Sequence, residues 1–209
     1  MPIAQISNLM SVAIGIICLF ISMRAFFIYN LSRNDMLFIL GFSMALIAAG
    51  TLFGSLGDAH LRGIKYTGEW ARAFGACSGG LFIFLSALVT SRGQMQNLKR
   101  WQFVFAALFI VVALCTPLYP PITNPWITFG LNMCRIIIYA CAFIRYAVLY
   151  AAKSTRFSLI MCAGFLVLVI GYTLNIPGTF QAGLVFISVI AAAIRIGAFL
   201  TLLTAYSIG

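Results

Sequence analysis

Acidic residues are almost missing from this chain: 3 Asp and Glu stand against 13 Lys and Arg in 209 residues, with a single histidine. The three acids, Asp35, Asp58 and Glu69, and the histidine, His60, all fall in predicted loops or at predicted helix ends. That inventory excludes much chemistry. A bis-histidine haem needs two histidines at bilayer depth, and an intramembrane protease needs paired aspartates or a serine with a base. A proton-coupled carrier needs a buried carboxylate. Lysine is equally scarce: Lys65, Lys99 and Lys153 lie in predicted loops, so no seventh-helix lysine is available for a retinal Schiff base. The six cysteines, Cys18, Cys77, Cys115, Cys134, Cys141 and Cys162, lie inside predicted spans with no CxxC and no histidine at metal-ligand spacing. They read as free apolar thiols. No haem, retinal or metal site of the chain's own is expected, no catalytic residue is assigned, and the chain is not expected to be an enzyme.

What the chain has instead is hydrocarbon. It is 63% hydrophobic and 8% charged, where soluble domains carry about 25% charged residues. The reading is an all-α integral membrane protein with seven transmembrane helices. They run roughly from Ile6 to Asn30, Asp35 to Leu56, Glu69 to Thr90, Trp101 to Tyr119, Trp126 to Ala152, Phe157 to Leu174 and Gln181 to Ser207, each near the ~20 residues that a bilayer demands. No Lys or Arg precedes the first apolar run, and that run exceeds a signal-peptide h-region, so it reads as a retained first helix. The longest loop is Gly57 to Gly68, where His60 sits beside Asp58 and Arg62 and reads as a solvated histidine. Pro117, Pro120, Pro121 and Pro125 punctuate the fourth connection, since proline fixes φ and lacks an N–H.

The net charge of +10 is spread singly between apolar runs, which is the pattern of membrane flanks rather than of a nucleic-acid-binding patch. Arg24, Arg33, Arg92, Lys99, Arg100, Arg145, Lys153 and Arg156 gather on one side, and Arg62, Lys65 and Arg72 on the other. Eight against three predicts a multi-pass protein with its N-terminus outside and its C-terminus cytoplasmic. Trp70 and Trp126 then lie at the outer interface and Trp101 at the inner one, where amphipathic rings are favoured.

The chain also echoes itself. Gly41-Phe42 precedes Arg72 by the same number of residues as Gly164-Phe165 precedes Arg195, and upstream Arg24 and Tyr29 match Arg145 and Tyr150 after a two-residue shift. The expectation is a single domain, 1–209, with a 3+1+3 parallel repeat: halves 6–91 and 126–207, linker helix 101–119, and an axis along the membrane normal.

Small residues mark helix packing. Gly75, Ala76, Gly79 and Gly80 are read onto one face of the third helix, with Ala45, Ala49, Gly50 and Gly54 in the second and Ser188, Ala191, Ala192 and Ala198 in the seventh. Such faces let backbones approach closely in lipid, so the second, third and seventh helices are expected to form the tight part of the bundle.

The most informative stretch is Trp126 to Tyr150. At about 100° per residue, Asn132, Arg135, Tyr139, Ala142 and Tyr146 fall on one stripe. A guanidinium at mid-bilayer costs several kcal/mol unless paired, hydrated or snorkelling, so the stripe must face protein, water or a ligand. Arg135 and Arg195 have no acid at their depth in any predicted helix. A ligand anion, a lipid headgroup, a partner carboxylate, or carbonyls and tyrosine hydroxyls of the bundle must then satisfy them. Arg135, Tyr139, Tyr146, Asn132 and Arg195 are therefore the candidate residues for binding a ligand, a lipid or a partner. Arg145 reads as a snorkelling anchor and Arg72 as an ion-pair partner of Glu69, one turn away.

In layout, three helices, a linker and three helices resemble the SWEET sugar transporters, and seven helices in this length also resemble microbial rhodopsins and sensor modules. The resemblance carries no functional residue: the retinal lysine is absent, and the first and fifth helices hold no matching proline pair. Three functions are ranked. First comes a non-catalytic integral membrane subunit of a larger complex, meeting membrane lipids and other membrane subunits through its intramembrane arginines. Second is a small-molecule carrier or ligand-sensing module with a polar site around Arg135. Third is an accessory protein of an electron-transfer or quinone-handling complex whose cofactors come from another chain.

Overall fold

The computed structural model describes residues 3–60, 68–89, 91–115, 124–180 and 185–208. They are helical almost throughout: α1 (Ile3–Ser32), α2 (Asp35–His60), α3 (Glu69–Leu88), α4 (Arg92–Cys115), α5 (Pro125–Lys153), α6 (Arg156–Leu174), α7 (Ile176–Phe180) and α8 (Val185–Ile208). All but α7 are long and apolar enough to cross a membrane. Helix is the expected solution in lipid, because every interior N–H and C=O is satisfied within its own segment. Arg62, Lys65, Thr90, Pro117, Pro120, Pro121 and Gln181 lie outside the described residues, as do the side chains of Asp58 and His60.

The predicted spans hold, with shifted ends. Helix α2 continues through His60 rather than stopping at Leu56, so the long loop is shorter than Gly57 to Gly68. Helix α4 begins at Arg92, nine residues before the predicted Trp101, because the polar segment RGQMQNLKR forms helix ahead of the apolar run. Helix α6 stops at Leu174, since Pro177 has no N–H to continue its ladder, and the short α7 follows Asn175.

Two connections are built alike. After α1, Arg33 takes a left-handed backbone (φ 54°) and donates its N–H to Tyr29 at 2.7 Å. After α5, Ser154 does the same (φ 49°) with Tyr150, also at 2.7 Å. In each case the next residue, Asn34 or Thr155, caps the following helix with its side-chain oxygen. One residue in the left-handed region and one cap reverse the chain, so α1 and α5 each lie antiparallel to their successors.

Helices α1, α2 and α3 pack in succession, as do α5, α6 and α8; α1 against α8 and α3 against α5 close the bundle, and α4 rests on α2 and α3. Exchanging α1, α2 and α3 with α5, α6 and α8 leaves this order unchanged, the arrangement that a parallel duplication would produce. Helix α4 is pinned by Gln102, whose buried amide donates to the Ile39 carbonyl at 2.8 Å and the Ser43 hydroxyl at 3.1 Å. The Lys99–Asp35 ion pair adds to this, with the ammonium 4.8 Å from the Phe38 ring centre.

Close packing is divided differently from the expectation. A Cβ on Gly75 would stand 2.6 Å from the Leu46 carbonyl oxygen, and one on Gly79 2.6 Å from that of Ser43, so these glycines seat α3 on α2. Gly80 instead turns toward α5, where a Cβ would meet Ile138 at 2.8 Å. The small residues of α8 are used against α6: a Cβ on Gly171 would stand 3.3 Å from the Ala191 carbonyl oxygen and one on Gly164 3.6 Å from that of Ala198. The tight contacts thus join α2 with α3, α6 with α8 and, through Gly15 and Gly41, α1 with α2, rather than gathering the second, third and last spans in one cluster. The α3 face is met by Gly50 and Gly54 of α2, and the α8 face by Gly164 and Gly171 of α6.

Gly75→Ala is expected to lower thermal stability in detergent by about 1–3 kcal/mol, because the methyl collides with backbone that has nowhere to move. Gly197→Ala, where a Cβ meets nothing within 4 Å, should be neutral or slightly stabilising. Equal melting temperatures for the two variants would put Gly75 on a lipid-facing surface.

Candidate functional site

The stripe read along α5 is buried in the bundle: Asn132, Tyr139, Ala142 and Tyr146 are the buried residues of that helix. At its Asn132 end, α5 meets α1, α3, α6 and α8 around a polar cavity of about 240 Å³. Three arginines reach it from three helices: Arg72 from α3, Arg135 from α5 and Arg195 from α8. Asn132, Asn175, Ser11 and Ser188 supply neutral polar groups to the same walls, and Glu69 supplies one carboxylate.

Glycines let the arginines in. A Cβ on Gly54 of α2 would stand 2.6 Å from the γ-carbon of Arg72, and a Cβ on Gly171 of α6 would stand 2.8 Å from the γ-carbon of Arg195. Each arginine stem thus crosses its neighbouring helix where that helix has no side chain. The apolar stem packs there while the guanidinium continues into the cavity.

Arg135 and Arg195 are held by neutral groups of the bundle. Arg135 donates to the Asn132 side-chain oxygen at 3.2 Å and lies within reach of the Cys77 thiol. Arg195 donates to the Ala191 carbonyl of its own helix at 3.2 Å. Both face the Tyr172 ring, at 5.7 Å for Arg135 and 5.0 Å for Arg195, so one ring helps to hold two cations. The Nε of Arg135 and the side-chain nitrogen of Asn132, a residue only 2% exposed, have no hydrogen-bond partner among the described residues. A buried donor without a partner costs about 1–3 kcal/mol. Among the described residues three guanidiniums face one carboxylate in this cavity, so its lining is net positive, and the unpartnered donors of Arg135 and Asn132 suit an anion.

From Tyr172 a column of rings runs along the interface of α5 and α6. Tyr172 stacks on Tyr139 at 5.6 Å, Tyr139 on Phe165 at 6.1 Å, and Phe165 on Tyr146 at 5.6 Å. The Tyr139 hydroxyl donates to the Ala76 carbonyl of α3 at 3.4 Å. The column ends at a second cavity of about 420 Å³ near Ser154, lined by Tyr146, Arg145, Lys153, Ser86, Thr155 and Ser158 among others. Arg145 donates there to the Ala87 carbonyl at 2.9 Å, so it ties α5 to the end of α3 rather than acting as a free snorkelling anchor.

Of the five residues singled out in the sequence, Asn132, Arg135 and Arg195 meet in the first cavity, Tyr139 stands beneath it, and Tyr146 lines the other. The expectation that no acid shares the depth of Arg135 and Arg195 is corrected, because Glu69 in the first turn of α3 lines the same cavity. Arg72 and Asn175 were not anticipated as cavity residues, nor Tyr172 as the ring that two guanidiniums face. For Arg72 the signal was present in its repeat spacing to Arg195; for the other two it was not, since a helix break and a stacked ring have no local sequence signature. Among the described residues no group of His, Cys, Asp and Glu could hold a metal ion. No family model, curated protein or solved structure matches the chain.

Tyr172→Phe keeps the ring that both guanidiniums face and should melt close to wild type. Tyr172→Leu should lose about 1–2 kcal/mol in detergent unfolding, through the cation–π contacts and the Tyr139 stack. If Leu and Phe behaved alike, the ring face would hold neither cation.

Proposed function

We propose that this chain is a non-catalytic membrane carrier that binds an anionic ligand in the cavity of Arg72, Arg135 and Arg195. The observation behind this reading is the convergence of three guanidiniums from three helices on one cavity that also holds the buried amide of Asn132. Two cavities at opposite ends of the bundle, separated by the ring column and bounded by both helix triplets, support carriage rather than simple capture. The matching neighbour order of the triplets supports a duplicated 3+1+3 origin, in which the ligand lies near the shared axis. The subunit reading ranked first from sequence would place a partner chain's carboxylate at these same arginines. The orientation proposed with this function has the Asn124 end outside and the Ser154 end cytoplasmic, from the eight-to-three charge bias.

Thermal shift in detergent with phosphate, sulfate, acetate and succinate, against chloride at equal ionic strength, tests the binding. At about 100 Kd of a bound anion, stabilisation is about 2.7 kcal/mol, several degrees in Tm. Arg135→Gln should abolish the shift. Arg135→Lys should restore it only in part, because a point charge lacks the bidentate fork. No anion-specific shift in the wild type, or an undiminished shift in Arg135→Gln, would remove the proposal.

The orientation has its own test in a cysteine-free background. An impermeant maleimide added outside should label Trp126→Cys at once and Arg156→Cys only after permeabilisation. The reverse pattern inverts the topology.

A further inference from the structure

Beside the arginine cavity, α4 and α5 flank an apolar cleft of about 420 Å³ whose floor is α3. Trp70, Ala73, Phe74 and Cys77 come from α3, Val112 from α4 and Leu131 from α5. The span from Trp70 to Cys77 is about 10 Å of helix rise, so the cleft extends along the bilayer normal from the Asn124 end.

Two residues join cleft to cavity. Leu131 lines both, and Cys77 in the cleft is near enough to Arg135, which lines the cavity, for the two to interact. A small hydrophilic anion would use only the polar side of this pair. A molecule with an anionic head and a hydrocarbon chain uses both: its head meets the guanidiniums and the Asn132 amide, while its chain lies on Leu131, Cys77 and Phe74. We infer that the ligand of the arginine cavity is an anionic amphiphile whose chain occupies the cleft between α4 and α5. This rests on the anion-binding reading above and narrows its ligand class. The chain escapes water and the head escapes hydrocarbon without either crossing the other's environment.

Methyl, butyl and hexyl phosphate, titrated by calorimetry against the purified full chain, separate the two readings. Each methylene withdrawn from water contributes up to about fourfold in affinity. Hexyl phosphate should therefore bind at least about thirtyfold tighter than methyl phosphate, at two- to fourfold per methylene. Val112→Trp fills the cleft and should leave methyl phosphate binding unchanged while removing the gain with chain length; Val112→Phe repeats the test with a smaller ring should the first variant fail to fold. Arg135→Gln should weaken every member of the series. Equal affinity for methyl and hexyl phosphate in the wild type overturns the amphiphile and leaves the anion site standing, as does a length gain untouched by filling the cleft. Binding of none of the three overturns the anion site itself. Repeating the hexyl titration in phosphatidylcholine nanodiscs with and without phosphatidylglycerol identifies the source: competition by the anionic lipid points to a bilayer headgroup, its absence to a free amphiphile, and either fulfils the inference.

Discussion

A guanidinium inside a bilayer has to be held, and the polar organisation of this bundle follows from holding three of them in one place. In hydrocarbon neither water nor a flexible loop is at hand to solvate the charge. The protein supplies substitutes from its own chain: the π-face of Tyr172, the Asn132 oxygen, the Ala191 carbonyl and one carboxylate in the cavity wall. The charge also needs a route inward. Gly54 and Gly171 provide it by leaving bare backbone for the arginine stems to cross, so the same absence of side chain that packs the helices gives the stems their path.

Rigidity around this arrangement comes from contacts of a different kind at each depth. Near the Asn124 end the constraint is electrostatic. Through the middle it is the stack of Tyr172, Tyr139, Phe165 and Tyr146, which fixes α5 against α6 over several turns. Near the Ser154 end it returns to polar ties, with Arg145 on the Ala87 carbonyl and Lys99 on Asp35. In a carrier of the proposed kind, moving ligand between the cavities requires that the middle layer part, and those stacked rings are the contacts that any such motion has to break.

How much of this was legible in the sequence depends on whether the signal is local. Span number and the buried stripe of α5 follow from hydropathy and helical period, which are properties of single segments, and Asn132, Tyr139, Ala142 and Tyr146 are buried as the stripe required. Helix ends were less legible: the start of α4 at Arg92 reflects helix formation in a polar segment that hydropathy assigns to a loop. The pairing of small-residue faces was misread because a glycine-rich face announces that something approaches closely without saying what. Gly80 meets α5 and the α8 face meets α6, outcomes that belong to the tertiary arrangement. The carboxylate at the arginine cavity was missed for a related reason: Glu69 lies at a helix end in sequence, and depth along one helix does not give proximity across the bundle.

The placing of α4 has an architectural corollary. Three crossings leave a chain on the side opposite to its start, so a second triplet can begin in the same sense as the first only if one extra crossing returns it. Helix α4 makes that return while resting on α2 and α3, outside the ring that α1, α2, α3, α5, α6 and α8 close. Its service to the second triplet is one of parity. A gene split between α4 and α5 would therefore encode two fragments, each holding a complete triplet, and fragments inserted with the original orientation would retain every helix pair that encloses the cavity.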